Sequence, residues 1–395
     1  MAKGMYIGIG GTARKIKKAY VGIDGVARKI KKAYIGIGGV ARPFFSSEEI
    51  VRYGAATNLL ASRSMIAAAS NESLAIFAGG MRYKSTSDAY KDTLFSEVDA
   101  YNRSLSKVSV AALPNKTTYV SAHGEQNRVL LFGGNIDHYK DLSTVLAYNK
   151  SGTQTTPASM STSRHGVGVA KAGTNIIAAG GVHSDNAATT KSVVSAADVF
   201  NASLTRSAGQ SLHTARASML CGAAGNKALF YGGDTSETHT SGSYRVDTID
   251  YYDAALTHGY IAGNQVICSV SKVVTESGFI SNGKYLIADA TYGIGSYDES
   301  LTYRALASHS FRHGRALGVL GGYILVAGGW YGSNIYKTVY AYDSSFTSTV
   351  CESLGAARNS AAAATISNFL LFAGGSGDSI ASKLYGNVDA YTITE

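Results

Sequence analysis

The chain has 395 residues, 45% of them apolar and 16% charged, with a formal net charge of +9, 45 glycines and only three prolines. That balance excludes a disordered or low-complexity chain and points to tight β-turns. No apolar stretch approaches the roughly eighteen residues of a membrane span, and Met1-Ala-Lys-Gly-Met-Tyr6 lacks the apolar segment of a signal peptide.

Residues 5–45 carry a repeat with a period of fourteen. Tyr6, Tyr20 and Tyr34 align, as do Gly8, Gly22 and Gly36, and Arg14, Arg28 and Arg42. Each copy reads as two short strands around Gly10-Gly11, Asp24-Gly25 or Gly38-Gly39, which are strong hairpin signals. Across the middle turn Ile23 should face Val26 and Val21 should face Arg28 on one side, with Tyr20, Gly22, Ala27 and Lys29 on the other. Hairpins of this size enclose little core, so they are expected to dock on another copy or another protein. Charge is segregated in the same way. Residues 1–45 hold ten Lys/Arg and one acid, whereas the rest of the chain has 26 basic and 26 acidic residues. The six repeat residues Tyr6, Arg14, Tyr20, Arg28, Tyr34 and Arg42 are the candidate attachment positions. A Lys/Arg cluster also attracts phosphates, but lysines at hairpin turns suit protein docking better than nucleic acid. The domain boundary is expected near Pro43 to Ser47, giving a basic hairpin module over 1–45 and a second domain over 46–395.

The second domain opens with Glu48-Glu-Ile-Val-Arg-Tyr53, a strand with no unit of its own. Six Gly-Gly pairs then recur at intervals of roughly fifty residues: Gly79-Gly80, Gly133-Gly134, Gly180-Gly181, Gly232-Gly233, Gly328-Gly329 and Gly374-Gly375. Each ends a short apolar run such as Leu74-Ala-Ile-Phe-Ala78, suited to a strand buried on both faces. A polar loop follows, then a second landmark: Val98-Asp-Ala-Tyr-Asn102 matches Val145-Leu-Ala-Tyr-Asn149, Ala197-Asp-Val-Phe-Asn201 and Val339-Tyr-Ala-Tyr-Asp343. A further strand is expected to open at Ser104-Leu105, Ser203-Leu204 and Ser300-Leu301. Next come a loop carrying Arg (Arg63, Arg164, Arg216, Arg358) and a small-residue strand such as Ser360-Ala-Ala-Ala-Ala-Thr365. Lys284-Tyr-Leu-Ile-Ala-Asp289 marks a seventh, degenerate unit. Four strands per unit, the innermost made of small residues, is what a propeller blade needs where strands converge on an axis. The last unit lacks an outer strand, and Glu48–Tyr53 is expected to supply it, removing an unpaired edge.

These landmarks resemble the kelch repeat family over roughly residues 46–395, although the outer strands lack that family's usual Trp. The predicted fold is therefore all-β, a seven-bladed kelch-like β-propeller with a small N-terminal β-hairpin repeat module. The phrases Ala19-Tyr-Val-Gly-Ile-Asp-Gly-Val-Ala-Arg-Lys29 and Lys31-Lys-Ala-Tyr-Ile-Gly-Ile-Gly-Gly-Val-Ala-Arg-Pro-Phe-Phe45 resemble the leader of virion-associated proteins in phages and prophages of Gram-positive bacteria. That resemblance implies a phage structural protein located in the virion and made in the bacterial host cytoplasm. It would be present in multiple copies, with residues 1–45 bound to other virion proteins and the propeller displayed for host-surface glycan or protein. A decoration protein binding only virion proteins is the alternative, and a sugar-active enzyme is a third reading.

Chemistry-bearing motifs are few. Gly278-Phe-Ile-Ser-Asn-Gly-Lys284 imitates a phosphate-binding loop, but Tyr285 replaces the required hydroxyl and no helix pattern follows. Gly8-Ile-Gly-Gly11 belongs to a hairpin rather than a dinucleotide fingerprint. The nine histidines show no zinc spacing, and His165 and His313 read as loop hydrogen-bonders. Cys221, Cys268 and Cys351 have neither metal-like nor paired spacing and read as buried reduced thiols. No spacing places the Tyr, His and Cys of a kelch-type copper oxidase, and no sialidase aspartate box occurs. The expectation is no enzyme, no cofactor, no metal and no membrane insertion. The loops after each Gly-Gly should gather at one end of the ring. Their Tyr83, His138, Tyr139, His183, Trp330, Tyr331 and Tyr336 are the candidate ligand-binding residues, since aromatic platforms with polar neighbours suit sugar rings or a protein patch.

Overall fold

Every apolar run pairs with its flanking strands in an antiparallel sheet, and the sheet recurs seven times. The computed structural model describes residues 6–9, 12–15, 19–23, 25–30, 32–37, 40–46, 48–82, 93–137, 140–184, 191–236, 246, 248–262, 278–281, 284–289, 293–307, 313–343, 347–378 and 383–394. All regular structure among them is β, with no helix. Two compact units emerge, residues 1–51 with 392–395, and residues 52–391.

The first unit contains three two-stranded hairpins: Tyr6–Ile9 with Thr12–Lys15, Ala19–Ile23 with Val26–Ile30, and Lys32–Ile37 with Val40–Ser46. Their registers agree. Ile7 lies opposite Arg14, Val21 opposite Arg28 and Ile35 opposite Arg42. The third hairpin shifts register between Ala33 and Tyr34, so Tyr34 meets Pro43, a residue with no N–H to donate.

The second unit is a seven-bladed β-propeller. From inner to outer strand, blade 1 is Ala67–Ser70, Leu74–Ala78, Val98–Asn102 and Lys107–Val108. Blade 2 is Ser121–Gly124, Arg128–Phe132, Val145–Asn149 and Gln154–Thr155. Blade 3 is Gly168–Ala172, Asn175–Ala179, Ala197–Phe200 and Arg206–Ala208. Blade 4 is Leu220–Ala224, Lys227–Tyr231, Thr248–Tyr252 and His258–Ala262. Blade 5, the degenerate unit, is Gly278–Ser281, Lys284–Asp289, Gly293–Tyr297 and Tyr303–Ala307. Blade 6 is His313–Leu320, Tyr323–Tyr331, Val339–Tyr342 and Ser348–Cys351. Blade 7 is Ala362–Ile366, Phe369–Ala373 and Val388–Thr394, with Glu49–Ala56 as its outermost strand. The inner strands touch in cyclic order, blade 1 to blade 7 and back to blade 1.

The cores lie between blades. Phe77 and Tyr101 of blade 1 bury against Ala364 and Leu371 of blade 7, and Phe132 of blade 2 against Phe200 of blade 3. A single blade would leave both faces wet, which is why the repeat folds only as an array. The Gly-Gly pairs are the joints of that array. The second glycine donates its N–H to a carbonyl of the following blade's entry segment: Gly80 to Thr117 O at 2.9 Å, Gly181 to Arg216 O at 2.9 Å, and Gly375 to Arg63 O at 3.0 Å. Gly79, at φ 61°, packs so tightly that a Cβ would lie 2.5 Å from Thr117 O. The last of these bonds, from blade 7 to blade 1, completes the circle.

The Ser-Leu landmark behaves differently from the sequence expectation. Ser104-Leu105 and Ser203-Leu204 do not open a strand; they form the turn between the third and outer strands, with Leu105 and Leu204 at φ 60°. The residue ending the third strand organises this turn. Asn102 Oδ1 accepts the N–H groups of Ser104 and Ser106, and Asn201 Oδ1 those of Ser203 and Thr205, so the side chain replaces ladder partners the turn has lost. These turns share one end of the propeller with the turns between first and second strands. The Gly-Gly segments and the blade entries share the other, called here the ribbon end.

Candidate functional site

At the ribbon end, four of the segments after Gly-Gly are β-ribbons rather than irregular loops. Met81–Arg82 pairs with Thr93–Leu94, Asn135–Asp137 with Lys140–Asp141, Val182–Ser184 with Lys191–Val193, and Asn334–Ile335 with the end of Tyr323–Tyr331. Blade 6 therefore presents Trp330, Tyr331 and Tyr336 on one short hairpin. Trp330 lies opposite Ile335 and Tyr331 opposite Asn334, while Tyr336 N–H donates to Gly329 O at 2.9 Å. Tyr331 is 53% exposed. His183 sits on the blade 3 ribbon, with Nδ1 donating to Ser163 O at 2.7 Å. Tyr83, His138 and Tyr139 lie outside the described residues.

A polar cluster that the sequence reading did not assemble ties the ribbons of blades 2 and 3 together. Buried Asp141 accepts from Asn135 Nδ2 at 2.8 Å, from Ser184 N–H at 2.7 Å and from His165 Nδ1 at 2.7 Å. Burial pushes the Asp141 carboxyl up, but the bonds from His165, Asn135 and Ser184 outweigh it and hold the group below its usual range. The His165 ring stands 5.4 Å from that of Tyr119. The cluster orients an imidazole and joins two ribbons. Among the described residues no group of three His, Cys, Asp or Glu side chains is placed to hold a metal ion. Cys221 and Cys351 are free thiols, pushed up by burial to about 12 and about 11; Cys268 lies outside the described residues.

Beneath the ribbons, the arginines read as loop residues are fully buried. Each meets a buried aspartate from the third strand of its own blade: Arg63 with Asp99 at 2.8 Å, Arg164 with Asp198, Arg216 with Asp250, and Arg358 with Asp389 at 2.5 Å. The guanidinium also donates to carbonyls that close the blade. Arg63 reaches Gly79 O at 2.7 Å, Phe77 O at 3.2 Å and Glu97 O at 3.4 Å; Arg164 reaches Gly180 O at 3.1 Å and Ala178 O at 3.2 Å. A second group from the outer strand completes each carboxylate: the cations Lys107 on Asp99, Arg206 on Asp198 and Arg52 on Asp389, and in blade 4 the imidazole of His258 on Asp250. Burial draws Arg164, Arg216 and Arg358 below the usual guanidinium range, and their aspartates pull them back.

Blade 2 has no clamp. Thr117 replaces the arginine and Leu146 the aspartate, and at that point lies a cavity of about 50 Å³. Thr117 Oγ1 donates to Asn115 O at 2.8 Å.

In the hairpin unit five of the six attachment candidates fall at matched register positions, with Tyr6 opposite Lys15, Tyr20 opposite Lys29, and Arg14, Arg28 and Arg42 opposite Ile7, Val21 and Ile35; Tyr34 is shifted to lie opposite Pro43. In the middle hairpin Tyr20 is 58% exposed, and Val21, Ile23, Val26 and Arg28 are exposed too.

An all-β propeller with glycine-hinged four-stranded blades is thus the class of protein. The Kelch motif is matched over residues 312–348, most of blade 6, and the other sheets are consistent with kelch blades. No curated protein matches the chain.

Proposed function

We propose that this chain is a non-enzymatic phage virion component whose hairpin module anchors a propeller displayed for recognition of a host-surface glycan or protein. The carrying observation is the hairpin unit. Three hairpins that share one register around their turns, +9 in charge, leave aliphatic residues of the middle copy exposed on strands too short to be stable unpartnered. A protein partner that is acidic, such as a neighbouring virion subunit, suits both the apolar strip and the charge. The ribbon end supports the display half of the reading, because a hairpin bearing Trp330, exposed Tyr331 and Tyr336 stands on the propeller as binding loops stand on a scaffold. Several copies on one particle would add avidity to weak single contacts.

The test is particle assembly with a chain lacking residues 1–46. Loss of the chain from purified virions, with its propeller still folded, is the expected result; undiminished incorporation would refute anchoring. Saturable binding of the purified chain to host cells is expected as well, and its absence would favour decoration of the particle instead.

A further inference from the structure

We propose that the blade 2 cavity receives the acetamido group of an N-acetylated amino sugar. This rests on the reading that the ribbon end meets a host glycan, and it names the chemical feature selected.

The cavity is the vacated seat of a clamp. Its wall includes Leu131, Gly133 and Thr144, which stand where blade 1 has Phe77, Gly79 and Glu97, the three residues whose carbonyls accept from Arg63. Acceptors that serve a guanidinium elsewhere therefore border a space here. Thr144 O already accepts Gly133 N–H at 2.9 Å, but the matching Glu97 O accepts both Gly79 N–H and the arginine, so a carbonyl at this place serves two donors.

Size and charge narrow the occupant. About 50 Å³, at roughly 10–15 Å³ for each water-sized group, holds about four non-hydrogen atoms. A guanidinium has four in a plane, and so has an acetamido group. The carboxylate that neutralises the guanidinium in blade 1 is replaced by Leu146, so a cation would be buried unpaired while a neutral planar group would not. The acetamido methyl suits Leu146, and its N–H suits the carbonyls or Thr117 Oγ1, which can still accept while its own proton goes to Asn115 O. Access is from the ribbon end, where Pro114 and Asn115 on the cavity rim are exposed.

The experiment is calorimetric titration of the full chain with the β-1,4-linked tetramer of N-acetylglucosamine, beside cellotetraose, which carries hydroxyls in place of the acetamido groups. Two variants plug the seat: Thr117→Arg with Leu146→Asp, which rebuilds the clamp four other blades already use, and Leu146→Phe, which fills it without charge. Saturable binding of the acetylated tetramer, none of cellotetraose, and a loss of at least about tenfold in both plugged variants at unchanged melting temperature are expected. Equal binding of the two sugars, unaltered binding by the plugged variants, or no binding of the acetylated tetramer at millimolar concentration would each overturn the assignment. Where host cells still bind wild type and plugged chain alike, the acetamido pocket fails and the display reading survives.

Discussion

A buried aspartate bonded to a buried guanidinium is a group that tolerates no loss of that inner partner. Removing one side of a fully buried pair leaves an uncompensated charge, so Arg216→Met or Asp250→Ala should each cost about 3–5 kcal/mol in urea unfolding. The same change at the partly exposed outer cation, Lys107→Met, should cost no more than about 1 kcal/mol. A second residue-scale effect comes from His123 on the inner strand of blade 2, half-buried and held neutral, its pKa pushed down to about 4 by desolvation first and then by nearby Lys171 and Arg128, against Glu125. The unfolded chain takes up that proton near pH 6.5 and the folded chain does not until near pH 4, so stability present above 6.5 is lost as pH falls between those values. The loss should reach roughly 3 kcal/mol. Asp141 and Glu125, both held below their usual range, add to it at still lower pH. Urea midpoints at pH 7.5 and 4.5 measure the slope, and His123→Leu should flatten most of it; an unchanged slope would show that other groups dominate. The clamps were half legible in the sequence. Arg63 and Asp99 stand 36 residues apart, too far for any local pattern to pair them. The available signal was co-occurrence, since Arg and Asp stand together in blades 1, 3, 4 and 7 and are missing together from blade 2.

At the scale of the strand and turn, period and punctuation carried most of the information. Apolar runs ending in Gly-Gly mark second strands because the pair must turn sharply while lying against the next blade's backbone, a demand only glycine meets. Gly79→Ala should therefore destabilise the propeller by roughly 2 kcal/mol or more, read as a lowered melting temperature, because the obstructing atom is a carbonyl oxygen of backbone. Ser-Leu misled for a physical reason. An apolar residue beside a serine looks like a strand start, yet here leucine takes a left-handed conformation so that its side chain can reach the core while asparagine bonds the turn. The segments after Gly-Gly looked like loops because their strands are only two or three residues long. Trp330, Tyr331 and Tyr336 fall on one hairpin, since seven residues around a tight turn cannot separate far. The Asp141 cluster was out of reach, as it joins two blades.

Over the whole molecule the repeat count, the sheet content and the ring were readable, because a unit that buries nothing alone must stack. What each end of the ring touches was not, since that depends on groups converging from separate blades. The ring also needs its outermost strand in blade 7: Arg52 Nη2 lies 2.5 Å from Asp389, and Arg358 occupies the other carboxylate oxygen. A chain lacking residues 1–46 should keep the calorimetric transition of the propeller, whereas one lacking 1–56 should melt lower and aggregate through the uncovered edge. Equal transitions for the two truncations would show that this strand is dispensable. The glycine joints have a further consequence. Those of Gly80, Gly134, Gly181, Gly329 and Gly375 hook forward, from a blade to its successor, and all five lie at the same end. A protease nick at the opposite end, between Asn149 and Thr153, would sever the polypeptide but undo no hook, and the cut molecule should remain a closed wheel. A nick beside Gly133 should spring it open.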